Sequence, residues 1–171
     1  MSRAFTLLQL LIVVVMLSLL MGVVTSAVAI VLKTWGRQDV ALEIQEDARQ
    51  GVERMLRDLR LAKVVLDLGE DAIRYTVRES GTDRNYIFYL YHPSDPWGLP
   101  YTQTAYELRK TSLGVINGTF TYSSGTIYIK SVRPPPTSDL SVTNNVITVD
   151  LTASKDTETF HLLEKIRPRN L

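Results

Sequence analysis

The chain contains no cysteine, which excludes disulfides, thiolate metal sites and cysteine nucleophiles in any compartment. It also lacks an excess of charge of either sign, since 19 basic and 18 acidic residues leave a formal net charge of +1. A nucleic-acid surface built on bulk positive charge is therefore not indicated. The length of 171 residues suggests one domain with an appendage.

Motifs of catalytic and metal-binding sites are missing as well. His92 and His161 are the two histidines, and neither has a metal-type partner four residues away. There is no Gly-x-Ser-x-Gly elbow and no glycine-rich phosphate loop. Asp67, Glu70 and Asp71 cluster near a turn and could hold Ca²⁺, but they do not match the spacing of a calcium loop, so a hydrated helix end is the favoured interpretation. We predict neither an enzyme nor a bound cofactor or metal.

Charge is absent altogether from residues 5–32, a run of 28 mostly aliphatic residues. As a helix this run would be roughly 42 Å long, and a bilayer core needs only about 20 such residues. The apolar core of a cleaved secretory signal is shorter, about 7–15 residues, and is followed by a cleavage site. A buried helix of a soluble protein is the other alternative, but a domain of this size has little interior for such a run. The favoured interpretation is a membrane span.

The residues that begin this run form a motif. The stretch Arg3-Ala4-Phe5-Thr6-Leu7-Leu8-Gln9-Leu10-Leu11-Ile12 resembles the processing signature of type IV pilins and type II secretion pseudopilins. The resemblance implies that a prepilin peptidase cuts between Ala4 and Phe5 and methylates the new N-terminal Phe5. Two positions depart from the usual pattern: Ala4 replaces glycine, and Gln9 replaces the family's fifth-residue glutamate, an assembly position.

After the run, the spacing of apolar residues changes to one stripe of a helix. The steps between them are three or four residues, which predicts an amphipathic helix with a solvated charged face. The stripe consists of Ala41, Ile44, Ala48, Val52, Met55, Leu59 and Ala62. Glu53–Arg57 and Arg54–Asp58 are expected i,i+4 pairs. Gly51 interrupts this helix without ending it, and Gly69 is a plausible C-terminal cap.

Beyond residue 71 the period falls to two, which predicts roughly seven strands in an antiparallel, meander-like sheet covered on one face by the helix. Asn117-Gly118 is the strongest hairpin signal, and Asn144-Asn145 is a second expected turn. Asn117-Gly118-Thr119 also fits an N-glycosylation sequon, although a hairpin turn explains it better. Arg74, Arg78 and Arg84 form a possible basic patch, for which scattered solvated side chains are the favoured alternative.

The resemblance, which extends more weakly over most of the chain, is closest to the minor pilin W and minor pseudopilin J branch. The resemblance to this branch rests on residues 49–62 (RQGVERMLRDLRLA), 106–109 and 166–170. The expected fold is α+β and pilin-like: a leader at 1–4, a transmembrane or filament-core half-helix at 5–32, an amphipathic half at 33–68 and an extracytoplasmic β-rich domain at 69–171.

The function implied by the resemblance is structural. The chain would be a minor pilin or pseudopilin that initiates or caps a type IV pilus or type II secretion pseudopilus at its tip. Its partners would be other major and minor pilins or pseudopilins, the prepilin peptidase, the inner-membrane assembly platform and the lipid bilayer. The alternative is a membrane-tethered extracytoplasmic binding module for DNA uptake or a secreted substrate.

Overall fold

The structure is a computed structural model that describes residues 7–67, 72–95 and 100–169. The described elements are α1 (Leu7–Arg60), β1 (Ala62–Asp67), β2 (Ile73–Glu79), β3 (Thr82–Tyr91), β4 (Tyr106–Leu113), β5 (Thr126–Val132), β6 (Asp139–Thr143), β7 (Val146–Lys155) and β8 (Glu158–Ile166). The chain divides into two compact units, residues 1–39 and residues 40–171. The second is called the β-rich unit below. The fold class is α+β, as predicted.

The predicted apolar stripe of α1 is confirmed. Ile44, Ala48, Val52, Met55 and Leu59 are all buried within the β-rich unit. Because these positions repeat every three or four residues, they lie on one side of the helix, and that side packs against the sheet. Burial of this stripe stabilises the second half of α1 far more than helix propensity does.

The helix ends at Arg60, earlier than the predicted amphipathic half at 33–68. Leu61 is in a turn, and the next six residues form strand β1, so Ala62 is buried in the sheet rather than on the helix. The helix ends early because of a tertiary contact, the pairing of this segment with β2. Val64 and Val65 are β-branched, which slightly disfavours a helix and favours a strand. The described residues contain eight strands instead of seven; the expected cap Gly69 lies outside them.

The sheet is antiparallel throughout, with strand order β1-β2-β3-β4-β5-β7-β6. Strand β8 pairs with the other edge of β7 along nearly its whole length. The link between β5 and β7 is a single residue pair, Val132 and Ala153. The sheet curls so that β1 approaches β6. Strands β2, β3 and β4 follow the predicted meander, and the unpredicted β1 extends it by one strand. Strand β7 is the long strand that pairs with β5, β6 and β8.

The second half of strand β3, residues 86–91, is an unbroken apolar run, and it is buried on both faces of the sheet. Phe88 and Leu90 belong to the main core beneath α1, whereas Ile87 and Tyr89 belong to a second, smaller core on the opposite face. The segment 114–125 covers that second face, with Phe120 packed against it. A strand with two apolar faces needs two covering layers, and the helix can supply only one of them.

The predicted hairpin at Asn117-Gly118 is wrong. Strand β4 ends at Leu113, β5 begins at Thr126, and the intervening residues form turns and irregular chain. A two-residue hairpin of this type needs positive φ angles at both central residues, and neither Asn117 nor Gly118 has one. The apolar residues of this segment are used to cover the second face of the sheet instead of pairing as strands.

Other turns agree with their sequence signals. Asn144 and Asn145 have φ angles of 52° and 62° and join β6 to β7, as predicted. The sequence Ser123-Ser124-Gly125 is also typical of a turn, and here Ser124 N donates a hydrogen bond to Thr121 O at 2.9 Å. These turns depend on local backbone preferences, which explains why the sequence alone predicts them.

Candidate functional site: an exposed apolar helix segment

In the apolar segment, residues 7–32 of α1, every side chain that the structure describes is exposed. Leu7, Met16 and Leu20 are 82%, 68% and 66% exposed, and none of the most apolar 18-residue window is buried. The mean hydropathy of that window is 2.7. The segment is long and apolar enough to cross a membrane, since its 26 residues rise about 39 Å against a hydrocarbon core of about 30 Å.

The hydroxyl groups in this segment are satisfied within the helix. Ser18, Thr25 and Ser26 each donate a hydrogen bond to the carbonyl oxygen four residues earlier, at 2.8 Å. A free hydroxyl in a hydrocarbon environment would be costly, and this back-bonding removes most of that cost. The segment therefore presents a nearly continuous apolar surface despite three hydroxyl side chains.

Gln9 lies in the first described turns of α1 and is exposed. Its side chain is a neutral amide, which has hydrogen-bonding groups but no charge. The two other sequence-predicted site residues, Ala4 and Phe5, lie outside the described residues. The predicted cleavage and methylation positions therefore remain expectations from the motif.

The boundary of the apolar segment is marked by a change in side-chain type. Lys33 follows Leu32, and Trp35 is 62% exposed. The Thr34 hydroxyl donates a hydrogen bond to the carbonyl of Ile30 at 2.9 Å, and α1 continues through this boundary. A basic residue next to an exposed tryptophan is typical of a membrane–water interface.

Comparison with known proteins does not extend this description. No family model, characterised protein or solved structure matches this chain.

Within the β-rich unit, a polar cluster joins α1 to the sheet. Asp58 accepts hydrogen bonds from Lys110 Nζ at 2.7 Å and from the Tyr128 hydroxyl at 2.8 Å. The Lys110 ammonium lies 4.3 Å from the centre of the Tyr86 ring. These four residues are the Asp58 cluster. The predicted Arg54–Asp58 pair is therefore replaced, because Asp58 faces the sheet. Glu53 pairs with Arg49 at 3.7 Å.

A cavity of about 590 Å³ adjoins the Asp58 cluster, beside the last turn of α1. Tyr75 lines it and is completely buried. Its hydroxyl has no hydrogen-bond partner among the described residues. Burial, followed by the nearby Asp58 carboxylate, raises the pKa of Tyr75 far above its ordinary value, so it stays neutral. Sequence reasoning missed this cluster because its members are far apart in the chain.

A second polar centre fixes the chain before β4. Asp95 is buried and accepts hydrogen bonds from Thr102 N, at 2.9 Å, and from the hydroxyls of Thr102 and Tyr106. The hydrogen bonds from Thr102, followed in size of effect by the one from Tyr106, lower the pKa of Asp95 from 3.8 to about 2. The side chain is therefore a structural acceptor that stays ionised at neutral pH.

The predicted basic patch is not assembled. Residues that pair across an antiparallel sheet share a face, and Arg84 pairs with Val77 on the α1 side. Arg74 pairs with Ile87 on the opposite side, where its guanidinium donates to the carbonyl of Ile116 at 2.9 Å. The scattered arrangement, the alternative favoured above, is the correct one.

The part of the chain that the structure describes shows no group of three or more histidine, aspartate or glutamate side chains able to hold a metal ion. Of the acidic group considered from sequence, Glu70 and Asp71 lie outside that part. His161 is exposed on β8, and its Nε2 atom lies 2.6 Å from Asp150 on β7. This is a cross-strand pair on the surface of the sheet.

Proposed function

We propose that this chain is a minor pilin or minor pseudopilin, a structural subunit of a type IV pilus or a type II secretion pseudopilus. It is held in the cytoplasmic membrane by residues 7–32, with the β-rich unit outside the cytoplasm. One observation carries the proposal: a single uninterrupted helix has exposed apolar side chains all around its first half and a buried apolar stripe along its second. The motif at residues 3–12 supports it.

The exposed apolar side chains define the environments in which the segment is stable. Removing a large aliphatic side chain from water contributes about 1.5–3 kcal/mol. Leu10, Leu17 and Ile30 are all at least 60% exposed, so each needs lipid or another apolar surface around it. Because the apolar surface is continuous around the helix, the segment can exchange lipid for the helices of neighbouring subunits without exposing apolar area to water.

The neutral side chain at position 9 suggests where the subunit lies in the filament. In the family that the motif resembles, a glutamate at this position is thought to pair with the terminal amine of an adjacent subunit. A carboxylate within the bilayer is costly unless it is paired, so it draws subunits together. Gln9 keeps hydrogen-bonding groups, but its side chain has no charge that must be paired with another subunit. The subunit therefore need not dock beneath another one and is placed at or near the tip.

Processing is the first test. We expect N-terminal sequencing of the membrane-extracted protein to read Phe-Thr-Leu-Leu-Gln, and mass spectrometry to find Phe5 methylated. Ala4→Leu should block cleavage, because the residue before the cut is small in the family. Ala4→Gly is the matched control and should be cleaved normally. An intact Met1 in cells with an active prepilin peptidase refutes the proposal.

Location in the filament is the second test. Wild-type protein carrying an affinity tag is expected at filament ends by immunogold microscopy, whereas Gln9→Glu should shift label into the shaft. Label along the whole shaft for the wild type contradicts the tip placement. Loss of filaments on deletion of the gene supports an assembly role. Normal filaments with lost DNA uptake or secretion support the binding-module alternative.

A further inference from the structure

The turn at residues 115–118 presents an asparagine at its corner. Gly118 N donates a hydrogen bond to Val115 O at 2.8 Å, which makes Asn117 the third residue of a four-residue turn. Glycine fits closely at the fourth position, since a Cβ atom on Gly118 would lie 3.0 Å from Val115 O. The fifth residue, Thr119, completes the sequence Asn-Gly-Thr, the acceptor pattern for N-linked glycans.

The hairpin explanation of this tripeptide does not hold in the structure. Asn-Gly is common in hairpins because both residues accept positive φ angles, but Asn117 and Gly118 have none and no hairpin forms. Asn117 and Thr119 are both exposed. Among the described residues neither side chain makes a hydrogen bond, an ion pair or a ring contact. The amide and the hydroxyl that a glycosyltransferase must reach are therefore both accessible.

The turn lies on the face of the sheet opposite α1. Ile116 is held there by the hydrogen bond from Arg74, and Phe120 packs on the small core opposite α1. Val115, the first residue of the turn, is 65% exposed. An attached glycan would shield that apolar side chain from solvent and would project away from the helix-bearing face of the β-rich unit.

We propose that Asn117 carries an N-linked glycan. The donor is a lipid-diphosphate-linked sugar, and the transfer is a substitution at the anomeric carbon. The amide nitrogen of Asn117 forms a bond to that carbon, the bond from carbon to the phosphate oxygen breaks, and the amide loses one proton. The lipid diphosphate is the leaving group, and nothing is oxidised or reduced. This inference rests on the proposed function in one respect, the location of the β-rich unit outside the cytoplasm.

Mass spectrometry of the full chain, purified from the cells in which it naturally occurs, tests the proposal. The peptide containing Asn117 should carry the mass of whole sugar residues. Asn117→Gln and Thr119→Val should abolish the added mass, and the matched control Thr119→Ser should retain it. An unmodified peptide, or one showing only the small mass change of deamidation, overturns the proposal. An added mass that persists in Thr119→Val also overturns it.

Topology is tested separately, and the absence of cysteine makes this straightforward. In the Asn117→Cys variant, a membrane-impermeant maleimide applied to spheroplasts should label the single thiol as fully as it does after lysis. Labelling together with an unmodified wild-type peptide refutes the glycan and leaves the topology intact. Labelling only after lysis refutes the extracytoplasmic placement, and with it both the proposed function and the glycan.

Discussion

Gly51 is the position where the packing of α1 on the sheet is most sensitive to a single atom. A Cβ atom there would lie 2.2 Å from Ile129 Cγ1 and 2.5 Å from the backbone carbonyl oxygen of Tyr128. Ile129 is buried in the core, and the Tyr128 carbonyl belongs to strand β5, so neither can move without its neighbours. Gly51→Ala should therefore force α1 and β5 apart.

The magnitude follows from two opposing terms. Alanine within a helix is favoured over glycine by about 1 kcal/mol. Overpacking a well-packed core typically costs about 1–3 kcal/mol, and contact with a backbone oxygen places Gly51→Ala in the upper part of that range. We expect a net loss of about 1–2 kcal/mol in the free energy of unfolding of the β-rich unit. A larger loss is expected for Gly51→Val.

Gly36→Ala is the matched control, since nothing lies within 4 Å of a Cβ atom at Gly36. That substitution should leave the unfolding of the β-rich unit unchanged. The assay is urea unfolding of the full chain in detergent micelles, followed by near-ultraviolet circular dichroism, which reports the packed tyrosines and not the apolar segment. If Gly51→Ala is as stable as the wild type, close packing of α1 on β5 is not what requires glycine.

Three further predictions concern polar groups. Asp58→Asn should lower the free energy of unfolding by about 1–3 kcal/mol, because the partly buried Lys110 loses its counter-charge. The control Glu53→Gln, on the exposed face of α1, should change it by less than about 1 kcal/mol, and equal losses in the two variants would contradict the prediction. Asp95 has a pKa of about 2 in the folded chain against an ordinary 3.8, so its stabilising effect is present above about pH 4 and is lost as the pH falls toward 2. Asp95→Asn should flatten the dependence of the urea midpoint on pH in that range, and an unchanged slope would show that other groups cause the loss of stability. Burial raises the pKa of Tyr89 from 10 to about 12, so stability should fall as the pH rises from about 10 to about 12, and a Tyr89→Phe variant with the same alkaline loss would refute that assignment.

Much of the local structure follows from the sequence because the responsible interactions are short-range or periodic. The stripe from Ile44 to Leu59 repeats at the helical period, so it predicts both the helix and its buried side. Asn144-Asn145 adopts left-handed backbone angles by intrinsic preference. The exposure of residues 7–32 also follows, because a continuous apolar helix presents the same kind of side chain in every direction.

The errors arise where a local preference competes with a distant partner. Residues 62–67 continue the helical stripe at Ala62, yet they become β1 because β2 pairs with them along nearly their whole length. Asn117-Gly118 has the local signature of a hairpin, but the second face of β3 needs a covering layer and takes the neighbouring residues for it. Neither outcome can be read from a window of neighbouring residues.

The sequence by itself therefore determines the apolar segment, the helical stripe, the motif at residues 3–12 and the absence of thiol chemistry, since each depends on composition or on spacing along the chain. Only the tertiary structure decides where α1 ends, that Asp58 meets Lys110 and Tyr128, and that Asn117 stands exposed on a turn. These features depend on residues that are distant in the chain, and they form because burying both faces of the sheet outweighs the local preferences of a few residues.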